Sequence, residues 1–179
     1  FSVKGNASYV KNTLKNLGND TGYTPLDGMQ GIPGQDGGLA RAANGEPFPF
    51  FYGYTTNGIF QNWDEVDSYT WTNPDTGQSQ LIQPDARPGF TRYVDLNNDG
   101  VIDTKDMSNI GNGTPDWTFG LNLNADWKGF DFNLFLQGVT GNKILDATHR
   151  SGYLSFNYPT YMLDRWTGEG TSNKYPLMS

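Results

Sequence analysis

Cysteine is absent from this chain of 179 residues, and it has a single histidine, His149. The first absence excludes a disulfide framework, a Cys-ligated zinc site and a thiol nucleophile, and the second leaves little room for a His-based metal centre. Positive charge is scarce as well. Twelve Lys and Arg against 19 Asp and Glu give a formal net charge of -7 and a pI near 4.5. That balance lacks the basic footprint that holds phosphate backbones, so nucleic acid is excluded as a partner. No run of about 18 apolar residues exists, and no transmembrane helix is expected. The first residues lack the charged and apolar regions of a signal peptide. A start at Phe1 in place of Met is expected of a mature product or a fragment.

What is present points to β-structure. Leu, Ile, Val and Phe together supply 37 of 179 residues, near the floor for a packed core, yet 5 Trp, 10 Tyr and 11 Phe are far too many for a disordered tail. The 23 Gly and 10 Pro argue against long helices. An aromatic, Gly-punctuated, polar chain of this kind is expected to be all-β.

Residues 1 to 17 alternate loosely, with Phe1, Val3, Ala7 and Tyr9 on one parity and Ser2, Lys4, Asn6 and Ser8 on the other, which predicts a strand. From Gly18 to about Pro115 the patterning dissolves. Turn residues recur too densely for long elements, as in Gly31-Ile32-Pro33-Gly34, Asp36-Gly37-Gly38 and Asn73-Pro74-Asp75. A connection of that length signals function, its own small fold, or both.

The clearest pattern begins at Trp117. Odd positions hold Trp117, Phe119, Leu121, Leu123, Ala125 and Trp127, while even positions hold Thr118, Gly120, Asn122, Asn124 and Asp126. After the Lys128-Gly129 turn, Phe130, Phe132, Leu134, Leu136 and Gly138 alternate with Asp131, Asn133, Phe135 and Gln137. A long two-stranded hairpin is therefore predicted over 117 to 139. Trp117 and Trp127 share a face, and at about 3.3 Å per residue and a tilt of about 40 to 45° they lie roughly 23 to 25 Å apart along a membrane normal. That fits the apolar band of an outer-membrane barrel with a tryptophan at each interface. A soluble sandwich strand with an aromatic inner face is the alternative.

Residues 95 to 106 read Asp-Leu-Asn-Asn-Asp-Gly-Val-Ile-Asp-Thr-Lys-Asp, the spacing of an EF-hand-type loop. A hard cation wants six to eight oxygens, and alternate side chains of a tightly curled segment point inward while glycine takes the sharp turn. Asp95, Asn97 and Asp99 would supply side-chain oxygens, Val101 its carbonyl, Asp103 a direct or water-mediated contact and Asp106 the closing carboxylate. Calcium is the expected ion and its expected role is a structural staple. Position 12 is Asp where Glu closes the loop bidentately, so modest affinity is expected. The alternative is an Asx-rich turn cluster without metal.

Other constellations carry less. Asp64, Glu65 and Asp67 show no two carboxylates at a glycosidase separation, and a solvated acidic stretch is the plainer reading. His149 has no triad context. The run Phe48, Phe50, Phe51, Tyr52, Tyr54, Phe60 and Trp63 is expected to form a small core, with stacking on sugar rings as the other use.

Several separated segments coincide with one family. Gly45-Glu46-Pro47-Phe48, Tyr52-Gly53-Tyr54, Asn57-Gly58-Ile59-Phe60-Gln61, Tyr93-Val94-Asp95-Leu96-Asn97-Asn98-Asp99-Gly100-Val101-Ile102-Asp103, Ile110-Gly111, Pro115-Asp116, Lys128-Gly129-Phe130-Asp131, Phe135-Leu136-Gln137-Gly138 and Gly141-Asn142 follow in order. Together they resemble the C-terminal part of SusC/RagA-type TonB-linked outer-membrane proteins. The resemblance implies a non-enzymatic transporter: a large antiparallel β-barrel in the outer membrane, bathed in lipid, importing glycans or peptides. It implies two partners, a SusD-like surface lipoprotein and the TonB complex, the latter reached through a plug that this chain does not contain. On that reading 1–17 is a barrel strand, 18–115 a long extracellular loop carrying the calcium loop 95–106, 116–140 a barrel hairpin with a periplasmic turn, and 141–179 a second extracellular loop segment. The chain is expected to be a fragment from the last third of a barrel, ending before the closing strands. A soluble calcium-dependent carbohydrate-binding module and a secreted glycoside hydrolase domain remain as alternatives.

Overall fold

The computed structural model describes residues 1–26, 39–146 and 159–178. The turn clusters at Gly31–Gly34 and Asp36–Gly38, and His149, lie outside the described residues. The strands are β1 (Ser2–Tyr9), β2 (Tyr23–Leu26), β3 (Ala40–Ala43), β4 (Phe50–Tyr54), β5 (Thr56–Ile59), β6 (Thr70–Thr72), β7 (Ser79–Leu81), β8 (Thr91–Tyr93), β9 (Met107–Gly111), β10 (Trp117–Trp127) and β11 (Phe130–Thr140). One short helix, α1 (Trp63–Ser68), lies between β5 and β6. The fold is all-β, and every named strand pairing is antiparallel. Two compact units divide the chain, Phe1–Tyr52 with Asn109–Arg150, and Gly53–Ser108 with Ser151–Ser179.

In the first unit, β10 and β11 form the predicted hairpin. Lys128 and Gly129 both take positive φ, 48° and 84°, the two-residue turn whose twist matches that of the flanking strands. This turn sets Trp127 opposite Phe130 and carries the register without a slip to Trp117 opposite Thr140. Because side chains alternate with a period of two, the register gathers the odd residues of β10 and the even residues of β11 on one face. Strand β1 extends the same face by pairing Val3 with Leu123, Ala7 with Phe119 and Tyr9 with Trp117. The Tyr9 and Trp117 rings lie 4.9 Å apart. Gly138 sits under the Phe119 ring, where a Cβ would come within 2.4 Å of a ring carbon, so only glycine admits this ring at that pairing.

The opposite face carries Lys4, Asn6, Asn122, Asn124, Asn133 and Gln137, with Asn133 donating to Asn124 and Asn124 to Ser2. The apolar face is left uncovered: Trp117 is 46%, Trp127 67% and Phe130 76% exposed. The expected barrel is not closed among the described residues. The sheet has three strands in the order β1-β10-β11, with β1 and β11 as its edges.

Strand β1 ends at Tyr9, short of the 17 residues its alternation suggested. Beyond it the backbone turns to side-chain partners. Asn12 exchanges two hydrogen bonds with the Phe48 backbone, Leu14 and Gly45 bond through their backbones, and the Leu17 N–H donates to Asn44. A second sheet, in the order β2-β3-β4-β9, follows. The described part of 18–115 thus carries a series of short strands.

The second unit is built on Phe60, which is fully buried among Val66 and Ala86 with Tyr69 and Phe90 packed against them. Phe50 is buried too but belongs to the first unit, and Phe48 and Trp63 are about half exposed. The aromatic run therefore does not make one core. Helix α1 starts at Asn62, whose side chain accepts from the Glu65 N–H, and Asp64 and Glu65 stand in its first turn, where acidic groups favour the helix dipole. Residues 166–177 strap onto this unit, and Gln61 is the fastening. Its Nε2 donates to the Ile59 and Ser172 carbonyls while its Oε1 accepts from Trp166 Nε1 and the Gly170 N–H. Asn173 accepts from the Ile59 N–H beside Gly58, whose φ of 83° and absent Cβ leave it room.

With so few buried apolar residues in this unit, each counts heavily. Phe60→Ala should destabilise the unit by about 3 to 5 kcal/mol, measured as a lower denaturant midpoint and as proteolytic cleavage within 53–108 under conditions where the parent resists.

Candidate functional site

The loop between β8 and β9 is shaped by its own carboxylates. Asp95 accepts from the Asp99 N–H at 3.2 Å and the Gly100 N–H at 2.8 Å, curling the first half of the loop onto its start. Asn97 Oδ1 also accepts from the Asp99 N–H, and its amide donates to Asp99 Oδ2 at 2.8 Å. Asp99 Oδ1 in turn accepts from the Val101 N–H. These are Asx turns, the reason Asp and Asn suit such positions. Asn98 and Gly100 take φ of 58° and 86°. At Gly100 glycine is required twice over, since a Cβ would also stand 2.6 Å from the Trp71 ring.

The second half is organised by Asp106, which is fully buried. Its Oδ1 accepts from Leu96 N at 2.9 Å and Asn97 N at 3.5 Å, and its Oδ2 from Asp103 N at 2.8 Å. The closing carboxylate thereby ties both ends of the loop together. Asp103 caps the 3-10 turn Thr104–Asp106 through the Lys105 N–H, making a reciprocal capping box with Asp106. No EF-hand helix flanks the loop, which runs from strand β8 into this turn and strand β9.

Lys105, which the motif itself does not assign, supplies the nearest positive charge. Its Nζ lies 3.6 Å from Asp99 and 3.5 Å from Asp103, and these carboxylates, Asp103 foremost, hold its pKa above the ordinary value. Asp99 is held below its ordinary 3.8, chiefly by the Asn97 amide and then by the Val101 N–H and Lys105. A lowered carboxylate stabilises the fold above that ordinary value and loses its contribution as pH falls through the lowered one. The raised lysine does the opposite, contributing below its ordinary value and losing it as pH rises. Two further contacts went unread in the sequence. Gln80 donates to the Gly100 carbonyl at 3.0 Å, and Tyr69 donates to the Tyr93 carbonyl at 2.6 Å beside the loop entrance. The cross-chain spacing of Gln80 gives no sequence signal, whereas Lys105 stands inside the motif and was there to be read as a counter-charge.

Six residues, Asp95, Asn97, Asp99, Val101, Asp103 and Asp106, form one tightly hydrogen-bonded loop, and their hard oxygen donors suit a calcium-type ion. Among the described residues no three His, Cys, Asp or Glu side chains are gathered closely enough to hold a metal, and the Asp95 and Asp106 carboxylates accept from backbone N–H groups. Of the other acidic candidates, Glu65 is a structural cap. It accepts from the Gln61 N–H at 2.9 Å and lies 3.9 Å from Arg92.

No family model matches the chain. Two relatives from Formosa agariphila do. TonB-dependent receptor P3 is 32% identical over 133 residues, 74% of this chain and 12% of that receptor. TonB-dependent receptor P26 is 30% identical over 142 residues, 78% of this chain and 13% of that receptor. This chain thus spans about an eighth of the length of the relatives it matches. Its similarity is to a segment of TonB-dependent receptors.

Removing the buried Asp106 side chain leaves the Leu96, Asn97 and Asp103 N–H groups without their acceptor. Asp106→Ala should cost about 2 to 4 kcal/mol and expose 95–106 to rapid amide exchange, whereas Lys105→Met, at an exposed side chain, should leave the exchange pattern of Leu96 and Asp103 unchanged.

Proposed function

We propose that this chain is a barrel segment, with its surface loops, of a TonB-dependent outer-membrane transporter of the SusC/RagA type. The similarity to two TonB-dependent receptors over about three quarters of the chain carries this reading. The sheet supports it. An antiparallel sheet with two tryptophans at the ends of one strand, an uncovered apolar face and an amide-rich opposite face has the division of labour of a barrel wall between lipid and a wet lumen. No described helix is long and apolar enough to cross a membrane.

On this reading the transported cargo is a glycan or a peptide, energy arrives from the TonB complex through a plug outside this segment, and a SusD-like lipoprotein closes over the surface loops. The loop-rich unit built on Phe60 lies on the extracellular side and offers a contact for that lipoprotein or for cargo. We assign calcium to the loop: Asp95, Asn97, Asp99, Asp103 and Asp106 with the Val101 carbonyl would hold it by exchanging backbone N–H partners for the ion, which would supply the positive charge that those N–H groups now provide in part.

Parity of substitution tests the barrel. In the full-length polypeptide, Leu121→Arg and Leu134→Arg should each cost about 2 to 4 kcal/mol in membrane assembly, while Asn122→Arg and Asn133→Arg should be mild. Equal tolerance on both faces, read as heat-modifiable mobility of the assembled receptor, would sink the membrane reading. If uptake and lipoprotein capture both survive deletion of 31–83, the surface role fails while the barrel stands.

Calcium is tested separately by calorimetry. Asp95→Ala and Asp99→Ala should abolish calcium uptake and increase cleavage between Gly89 and Asn112. No heat from the parent at millimolar calcium would remove the ion from the account.

A further inference from the structure

Arg41 stands between two aromatic rings on the sheet β2-β3-β4-β9. It pairs with Pro25 on β2 and with Phe50 on β4, so Tyr23 and Tyr52, each two residues along their strands, share its face. The guanidinium carbon lies 3.5 Å from the Tyr52 ring centroid and 5.0 Å from that of Tyr23. Phe50 packs edge-on against Tyr52 and steadies the stack, with centroids 6.4 Å apart. The side chain is part buried, and its Nε is a buried donor with no hydrogen-bond partner. No ion pair to Arg41 exists among the described residues, in a chain with 19 acidic side chains.

The guanidinium carbon stands over two tyrosine rings, closest to Tyr52, and such stacking leaves the N–H donors in the guanidinium plane free to meet charge. A planar edge of paired donors matches a carboxylate bidentately. A part-buried cation with no counter-charge among the described residues carries a desolvation cost that a carboxylate meeting its terminal Nη groups would offset, while Nε stays enclosed by the stack. We infer that the Tyr23–Arg41–Tyr52 stack is a carboxylate-recognition site, taking the acid group of a sugar acid or of a peptide C-terminus. The inference is independent of transport, since it concerns binding alone.

The test is isothermal titration of the natural full-length polypeptide in detergent with glucuronate and with N-acetyl-dialanine bearing a free C-terminus, each against its neutral counterpart, glucose or the dialanine amide. At least one carboxylate should bind about tenfold or more tightly than its neutral counterpart, and Arg41→Lys should abolish that preference, because an ammonium cannot replace the fork or the stacking. Preference for glucuronate alone assigns a sugar acid; preference for the peptide alone assigns a peptide terminus. If neither carboxylate is preferred, or if Arg41→Lys keeps the preference, the inference is overturned. Should Arg41→Lys fail to fold, Tyr23→Leu reads the same site at a ring that is 44% exposed. It should weaken carboxylate binding several-fold through loss of one stacking face, and an undiminished preference would equally overturn the assignment.

Discussion

Everything in the first unit depends on the register fixed by a two-residue turn. Lys128 and Gly129 join β10 to β11 with no slack, and eleven consecutive cross-strand pairs follow from that choice. A slip of one residue would carry Trp117, Phe119, Leu121 and Leu123 to the amide face and set Asn122 and Asn124 among the aromatics. Each face would then mix apolar and amide side chains. The strength of the constraint lies in the two strands agreeing: each alternates by itself, and the turn makes both alternations point the same way. Strand β1 joins the same scheme by pairing Val3, Ala7 and Tyr9 with the apolar positions of β10.

The second unit is held by different means. Its buried apolar set is small, and most of its definition comes from side chains that satisfy backbone groups: Gln61 and Asn173 at the strap, Asn62 and Glu65 at α1, Asp95 and Asp106 in the acidic loop. Such bonds contribute modestly each when made and cost more when broken inside, so they specify conformation better than they add stability. A unit with little apolar material to bury can keep a defined shape by that arrangement.

These two modes explain how much the sequence disclosed. The hairpin was legible because alternation over long strands is a signal repeated at every residue, and Lys-Gly is a turn signal of its own. The acidic loop was legible as a curl around Gly100, since Asp and Asn spacing encodes Asx turns locally. Strands β2 to β9 were not legible. They are three to five residues long, too short for a period to declare itself, and even the near pairing of β6 with β7 rests on only three residues a side. Residues 10 to 17 illustrate the limit: loose alternation continued into them, yet Asn12 and Leu14 bond to the turn around Glu46, which no local pattern announces. The aromatic run suggests a single core because its residues are close in sequence, whereas Phe50 and Phe60 fall in different units.

The Gln61 fastening also bears on the order in which the chain acquires its structure. Its partners Trp166, Gly170 and Ser172 are more than a hundred residues downstream, with the whole β10–β11 hairpin between them. Closing so long a segment costs chain entropy that pairing across a two-residue turn does not. A polypeptide emerging from its N-terminus cannot complete the Phe60 unit until residues 166–177 have been delivered. Until then the Gln61 Oε1 and the Ile59 N–H lack the partners that Trp166, Gly170 and Asn173 supply, and the Gln61 amide keeps only its local bond to the Ile59 carbonyl.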